Sequence, residues 1–207
     1  FDHKSLYWQH SNADLKDALS WGQLKSKRWL INELEQLDLD LGTTFLCAGW
    51  YATLAAMMFD SRLNLTKIRS FDIDSKCALI AETINRHKVK DNWLFKASTK
   101  DIHDLEYESF TYLSHRYDGS VVELTDSADT IINTSCEHIK NFADWYDKIP
   151  QGKLVILQSN NYFEIDDHVN CIRGPIQFAD QTPMTEVLYQ GALDLPKYTR
   201  FMRIGRK

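Results

Sequence analysis

Five short, apolar, β-prone runs recur along the chain, and the segments between several of them have a helical period. The runs are "TTFLCAG" (43–49), "KIRSFDID" (67–74), "NWLFKAS" (92–98), "ADTIINTS" (128–135) and "KLVILQSN" (153–160). "YATLAAMMFD" (51–60) suits a buried helix. "SKCALIAETINRHKV" (75–89) sets Cys77, Ala81 and Ile84 on one side, and "NFADWYDKIP" (141–150) spaces Phe142, Trp145 and Ile149 at i, i+3, i+7. Strands alternating with helices predict a parallel sheet covered on both faces, because a parallel connection has to cross over the sheet. The right-handed crossover rule then leaves few topologies. A further helix is expected over 23–37, where Leu30, Leu34 and Leu37 recur at helical spacing, and a short one after Ser11-Asn12. The end differs in kind: "TEVLYQGALDL" (185–195) and "KYTRFMRIG" (197–205), joined near Pro196, read as an antiparallel pair. Residues 99–125 have no clear period and read as a loop with a short element.

With 207 residues, 43% of them hydrophobic and 26% charged, the chain is expected to form one domain, residues 1–40 as N-terminal helices and 41–207 as the sheet core. A net charge of −5, without an extended basic stretch, argues against a nucleic-acid surface as the main feature. The longest apolar run, "TLAAMMF" (53–59), is far short of the roughly 20 residues needed to cross a bilayer. No basic-then-apolar signal pattern opens the sequence, so a cytoplasmic location is expected. Because the sequence starts at Phe1, an initiator Met at least is expected upstream. Cys47, Cys77, Cys136 and Cys171 lie far apart with no C-x-x-C pair, and Cys47 and Cys77 read as small buried hydrophobes in a reducing compartment.

In an open parallel sheet, ligands bind beyond the carboxyl ends of the strands, near the point where strand order reverses. Three polar strand ends meet that description: "LCAGWYAT" (46–53), "SFDID" (70–74) and "INTSCEH" (132–138). The last holds Cys136, Glu137 and His138, which could serve as nucleophile, acid, base or metal ligand. A Cys–His hydrolase has no supporting feature, such as a separate orienting Asn or a nucleophile elbow. A metal site could draw on His138, Glu137 and His168, but no H-x-x-x-H or paired-Cys spacing accompanies them, and no metal is expected.

In the order and spacing of "FLCAGWYATL", "FDID", "INTSCEHIKNFADWYDKIPQG" and "KLVILQSNN", the chain resembles the class I S-adenosylmethionine-dependent methyltransferases, particularly their small-molecule branch. The resemblance spans roughly residues 25–165, and the C-terminal hairpin extends it. It implies a Rossmann-like α/β fold, a mostly parallel seven-stranded sheet ending in an antiparallel hairpin. It further implies S-adenosylmethionine as cofactor and a small-molecule acceptor, while the charge and the short apolar runs leave neither a nucleic acid nor a membrane expected as partner. Gly49 would let backbone approach the ligand, leaving helix N-terminal N–H groups facing it. Asp72 would accept hydrogen bonds from the ribose hydroxyls, with Asp74 as the alternative or as a helix cap. The implied cofactor contacts are Cys47, Ala48, Gly49, Tyr51, Asp72, Ile73, Ser98, Thr99, Asn133 and Thr134. Those facing the acceptor are Glu137, His138 and His168, with His138 the better base, and Asn160 and Tyr162 stand in the same polar stretch.

The glycine turn departs from the family. Cys47 stands where an acid is usual, and Trp50, Tyr51 and Thr53 stand where small residues are expected. The two rings either narrow the methionine end of a pocket or pack into the core. Two alternatives to methyl transfer therefore stay open: transfer of the cofactor's aminocarboxypropyl arm, and a degenerate binding module.

Overall fold

A computed structural model describes residues 14–116 and 118–207. The expected helix after Ser11-Asn12 begins at α1 (Leu15–Ala18), capped by Asp14; Ser11 and Asn12 lie outside the described residues. The remaining elements in chain order are α2 (Trp21–Leu37), β1 (Thr43–Cys47), α3 (Thr53–Phe59), β2 (Lys67–Asp72), α4 (Cys77–Ile84), α5 (Arg86–Lys90), β3 (Phe95–Thr99), β4 (Phe110–His115), β5 (Val121–Asp126), β6 (Thr130–Asn133), α6 (Phe142–Asp147), β7 (Leu154–Asn160), α7 (Pro175–Gln181), β8 (Glu186–Asp194) and β9 (Thr199–Arg206). The helix expected over 75–89 is divided at Asn85, whose side chain donates to the carbonyls of Ala52 and Ala81 instead of continuing an apolar face.

Seven strands form one sheet in the order β3-β2-β1-β6-β7-β9-β8. The first five are mutually parallel, while β9 runs antiparallel to both β7 and β8. The chain winds outward from β1 through β2 to β3, then returns to β6 on the other side of β1. The strand order thus reverses between β1 and β6, which makes the loops after these strands the ligand-binding position of the fold.

The continuous apolar character of the strands follows from burial on both faces. Phe45, Phe71, Ile131, Val155, Leu157 and Phe201 point to one side, where Tyr107, Trp145, Tyr146 and Phe178 cover them. Leu46, Ile68, Ile132, Ile156, Met202 and Ile204 point to the other, against Leu30 and Leu34 of α2, Leu54 and Met58 of α3, and Ala81 of α4.

The unreadable stretch 99–125 is not a loop with one short element. It holds an antiparallel hairpin, β4–β5, that forms a second sheet. Phe110 and Tyr112 stack on each other with centroids 5.2 Å apart, and both meet Phe71 edge-on. The hairpin is tied to β2 by Asp126, nearly inaccessible, which accepts from Arg69 Nε and the Tyr112 hydroxyl at 2.8 Å each and from Lys67. Burial pushes the Asp126 carboxyl up, but the hydrogen bonds from Lys67 and Arg69 outweigh it and hold the group below the usual carboxylate range.

Candidate functional site

The turn after β1 is built without the family's run of glycines, and its geometry shows how. Ala48, Trp50 and Ala52 take left-handed conformations with φ of 51°, 48° and 51°. Each costs a non-glycine residue roughly 1–2 kcal/mol, so surrounding bonds have to enforce them. Gly49 N–H donates to Phe71 O at 3.1 Å, Trp50 N–H to Asp72 Oδ2 at 2.8 Å and Ala52 N–H to Gly49 O at 2.8 Å. Gly49 itself is required by proximity: a Cβ there would meet Ser70 Oγ at 2.2 Å. The turn comes this close to β2 only over a bare backbone. The expectation that its N–H groups face a ligand is therefore corrected for Gly49, Trp50 and Ala52, whose donors are spent within the protein.

The rings of this turn pack inward. Tyr51 is buried with Leu15, Ala18, Cys77 and Ile80, accepts from Asp14 N–H through its hydroxyl, and stacks on Trp50 with centroids 4.6 Å apart. In place of the cofactor contact expected of it, the Tyr51 side chain docks α1 against the turn. Cys47 is likewise a core group. Its thiol is wholly buried near the Tyr107 hydroxyl, and burial pushes it up to about 12, so only its main chain lies at the site edge.

Asp72 ends β2 beside this turn, its Oδ1 accepting from Asp74 N–H at 3.0 Å and its Oδ2 from Trp50 N–H. An ionised carboxylate has about four acceptor positions, so each oxygen can take one further donor. Ile73 next to it is 71% exposed, an apolar side chain left on the surface at the strand end. Ser98 and Thr99 end β3 in register with Phe71 and Asp72. Ser98 Oγ is buried without a partner, while Thr99 is exposed.

A second group of polar side chains closes the ends of β6, β7 and β9. Asn133 Oδ1 accepts from Ser135 N–H, leaving its buried Nδ2 unpartnered. Glu137, in a 3-10 turn at Cys136–His138, is 2% exposed. Its Oε1 accepts from Asn160 Nδ2 at 2.7 Å and Arg200 Nη2 at 3.3 Å, and its Oε2 is buried without a partner. Arg200 also donates to Thr134 O at 2.8 Å, while its Nε and Ser159 Oγ are unpartnered. Lys27 of α2 belongs to the same region. Burial first, then the charge of Arg200, lowers it from 10.5 to about 7, and Nζ donates to Gln23 Oε1 at 2.7 Å. Buried polar atoms are normally paired. Among the described residues, unpaired buried atoms of Ser98, Asn133, Glu137, Ser159 and Arg200 lie at this end of the sheet, where they are available to polar groups from outside the chain.

The chain after β7 folds over this end. His138 and His168 meet with perpendicular rings and centroids 4.6 Å apart. His138 Nδ1 lies 3.1 Å from Asp167 O, and His168 Nδ1 lies 2.8 Å from Tyr162 O. Tyr162 stacks on Tyr198 at 5.1 Å, pinning the segment to the turn between β8 and β9. His168, beyond β7, is thus brought to the adjacent pair Glu137 and His138.

Sequence reasoning missed Lys27 and Arg200, although each left a signal. Lys27 falls on the stripe of Leu30 and Leu34, where a solvated lysine has no place, and Arg200 interrupts the apolar strand "TRFMRIG".

No protein-family model matches the chain, and no curated protein matches it. Solved structures do. Geranyl diphosphate C-methyltransferase from Streptomyces coelicolor A3(2), a complex with Mg2+, a thiolodiphosphate analogue and S-adenosyl-L-homocysteine, aligns with a TM-score of 0.62 at 8% identity, over 89% of this chain and 76% of that one. N-methyltransferase NodS from Bradyrhizobium japonicum WM9 aligns at 0.59 and 9% identity, over 92% and 98%. The [4+2]-cyclase SpnF aligns at 0.62 and 12% identity, over 91% and 83%. The chain has the Rossmann-like methyltransferase fold, as its strand order requires. That one similar structure is a cyclase shows why the chemistry has to be argued from the site.

Proposed function

We propose that this protein is an S-adenosylmethionine-dependent methyltransferase acting on a small-molecule acceptor. The observation that carries the reading is Asp72, an acid at the end of β2 with acceptor capacity left on both oxygens, held beside the turn that follows β1, the strand at which the order reverses. A vicinal diol such as ribose presents two donors to such a group. Ser98 and Thr99 then border the base, with Ile73 against its face. The residues present fit the cofactor at its other end too: Lys27 and Arg200 suit a carboxylate, and Asn133 Nδ2 is a free donor.

Bound there, S-adenosylmethionine supplies an electrophilic methyl group on a sulfonium. The protein's share is positioning an acceptor in line with it. Glu137, His138 and His168 form the acceptor side, with Glu137 held by Asn160 and Arg200 so that one oxygen stays open. Four free cysteines, three of them buried, favour a reducing compartment such as the cytoplasm, and no helix among the described residues is long and apolar enough to cross a membrane. The chain acts as one domain in this reading.

A second reading rests on the turn at 48–52. Its inward-packed rings and spent donors differ from a glycine turn and would favour another pose of the sulfonium, exposing the aminocarboxypropyl arm to attack. Incubation with S-adenosylmethionine and a panel of amine, hydroxyl and thiol acceptors separates the two. S-adenosylhomocysteine as product supports methyl transfer, methylthioadenosine supports the second reading, and neither product with any acceptor leaves a binding module.

A further inference from the structure

We propose that Glu137, His138 and His168 form a binding site for a single divalent first-row transition cation of the zinc or manganese type. A carboxylate oxygen of Glu137 and one ring nitrogen from each histidine lie within 4.8 Å of one another. The tautomers needed for ligation are set by the backbone. A carbonyl oxygen can only accept, so His138 Nδ1 carries its proton toward Asp167 O and His168 Nδ1 toward Tyr162 O. Each ring then keeps its lone pair on Nε2, and a carbonyl contact of this kind is the outer-shell bond that orients metal-bound imidazoles. Two neighbouring rings with the same free lone pair exceed what one general base requires; they suit a cation.

The carboxylate is prepared in the same way. Asn160 and Arg200 both engage Oε1, while the buried Oε2 has no partner among the described residues. A carboxylate oxygen withdrawn from water and left unpaired is costly, and a coordinated cation offsets that cost. Three fixed ligands leave further coordination positions open to an outside oxygen. Two imidazoles with one carboxylate favour zinc, iron, cobalt or manganese over magnesium, which prefers oxygen ligands. Cys171, whose half-buried thiol donates toward Tyr162 O at 3.3 Å, is not needed as a ligand. Cation binding at this site does not depend on the methyl-transfer reading, since neither cofactor nor acceptor enters it.

The test uses the full chain, stripped with chelator, and Zn2+ alone in competition with a chromophoric chelator. One equivalent is expected to bind, with at least about tenfold weaker binding in each of His138→Ala and His168→Ala, while His87→Ala, a histidine remote from the cluster, leaves it unchanged. Circular dichroism checks that each variant is folded. A measurement on the unaltered chain stands independently: 15N NMR of the imidazoles should show both His138 and His168 protonated at Nδ1, with Nε2 of both shifting as Zn2+ is added. Mg2+ in place of Zn2+ should leave those nitrogens unmoved. Absence of binding, or one equivalent retained in the His138→Ala/His168→Ala double variant, overturns the proposal. So do Nε2 signals that do not move.

Discussion

Lys27 lies on the buried face of α2, and its environment makes a quantitative prediction for Lys27→Met. Burial, aided by the Arg200 charge, brings the ammonium from 10.5 in the unfolded chain to about 7 in the folded one. Below the folded value both states are protonated, and the wild type carries the full cost of a buried charge, roughly 5 kcal/mol at about 1.4 kcal/mol per pH unit. Between the two values the unfolded chain holds a proton that the folded chain has released, so wild-type stability rises with pH across this window. Near pH 9 the remaining cost is about 2 kcal/mol, because folding then only has to deprotonate the lysine. Methionine fills a similar volume and does not titrate, at the loss of the bond to Gln23. Urea unfolding of both proteins from about pH 6 to about pH 9 should show Lys27→Met the more stable at the acid end. Its advantage should shrink by about 3 kcal/mol toward the alkaline end. A stability difference constant within about half a kcal/mol across that range would refute the reasoning, since a lysine solvated in the folded state produces such a flat line. The same variant should bind S-adenosylhomocysteine less tightly, stability gained where a functional charge is lost.

The remaining predictions concern the scaffold. Asp126→Ala leaves Arg69 buried without its anion and should cost about 3–5 kcal/mol in denaturant unfolding. Because the folded Asp126 carboxyl is held below its ordinary value, its contribution is present above the unfolded pKa and lost as pH falls through the folded one, so the variant's midpoint should fall less with acid than the wild type's. Ala48→Gly removes a left-handed alanine and should raise the melting temperature, by a stabilisation of about 1 kcal/mol. Gly49→Val places two methyl groups where a Cβ alone already meets Ser70 Oγ, and should lower the melting temperature and weaken cofactor binding together.

The parallel core was legible because β1, β2, β6 and β7 are buried on both faces and stand out as apolar runs between helices. The terminal hairpin was legible as two adjoining runs around Pro196. Hairpin β4–β5 was not, for a physical reason. Its inward residues alternate cleanly in β4, but Leu113 and Val121 sit exposed on the outer face and blur the period. What holds it is non-local, the packing of Phe110 and Tyr112 on Phe71 and the contact of Asp126 with Arg69 and Lys67, which no local pattern encodes. In the candidate site, the placement of Asp72, Glu137 and His138 at the ends of β2 and β6 was legible from the apolar runs that precede them, whereas the approach of His168, in the loop beyond β7, to Glu137 and His138 was not. The inward turn of Tyr51 and the spent N–H groups at Gly49 and Trp50 depend on how closely β1 and β2 approach, a distance that residue types alone do not set.

The proposed function requires a ribose-bearing ligand gripped at Asp72. Isothermal titration of S-adenosylhomocysteine and its 2′,3′-dideoxy analogue into the unaltered chain tests this most directly, because no variant can disturb the turn that Asp72 also supports. Micromolar binding of the first, with the analogue at least about tenfold weaker for want of two charge-assisted hydrogen bonds, is the predicted result. No heat at millimolar ligand, or equal affinity for the two compounds, would contradict it.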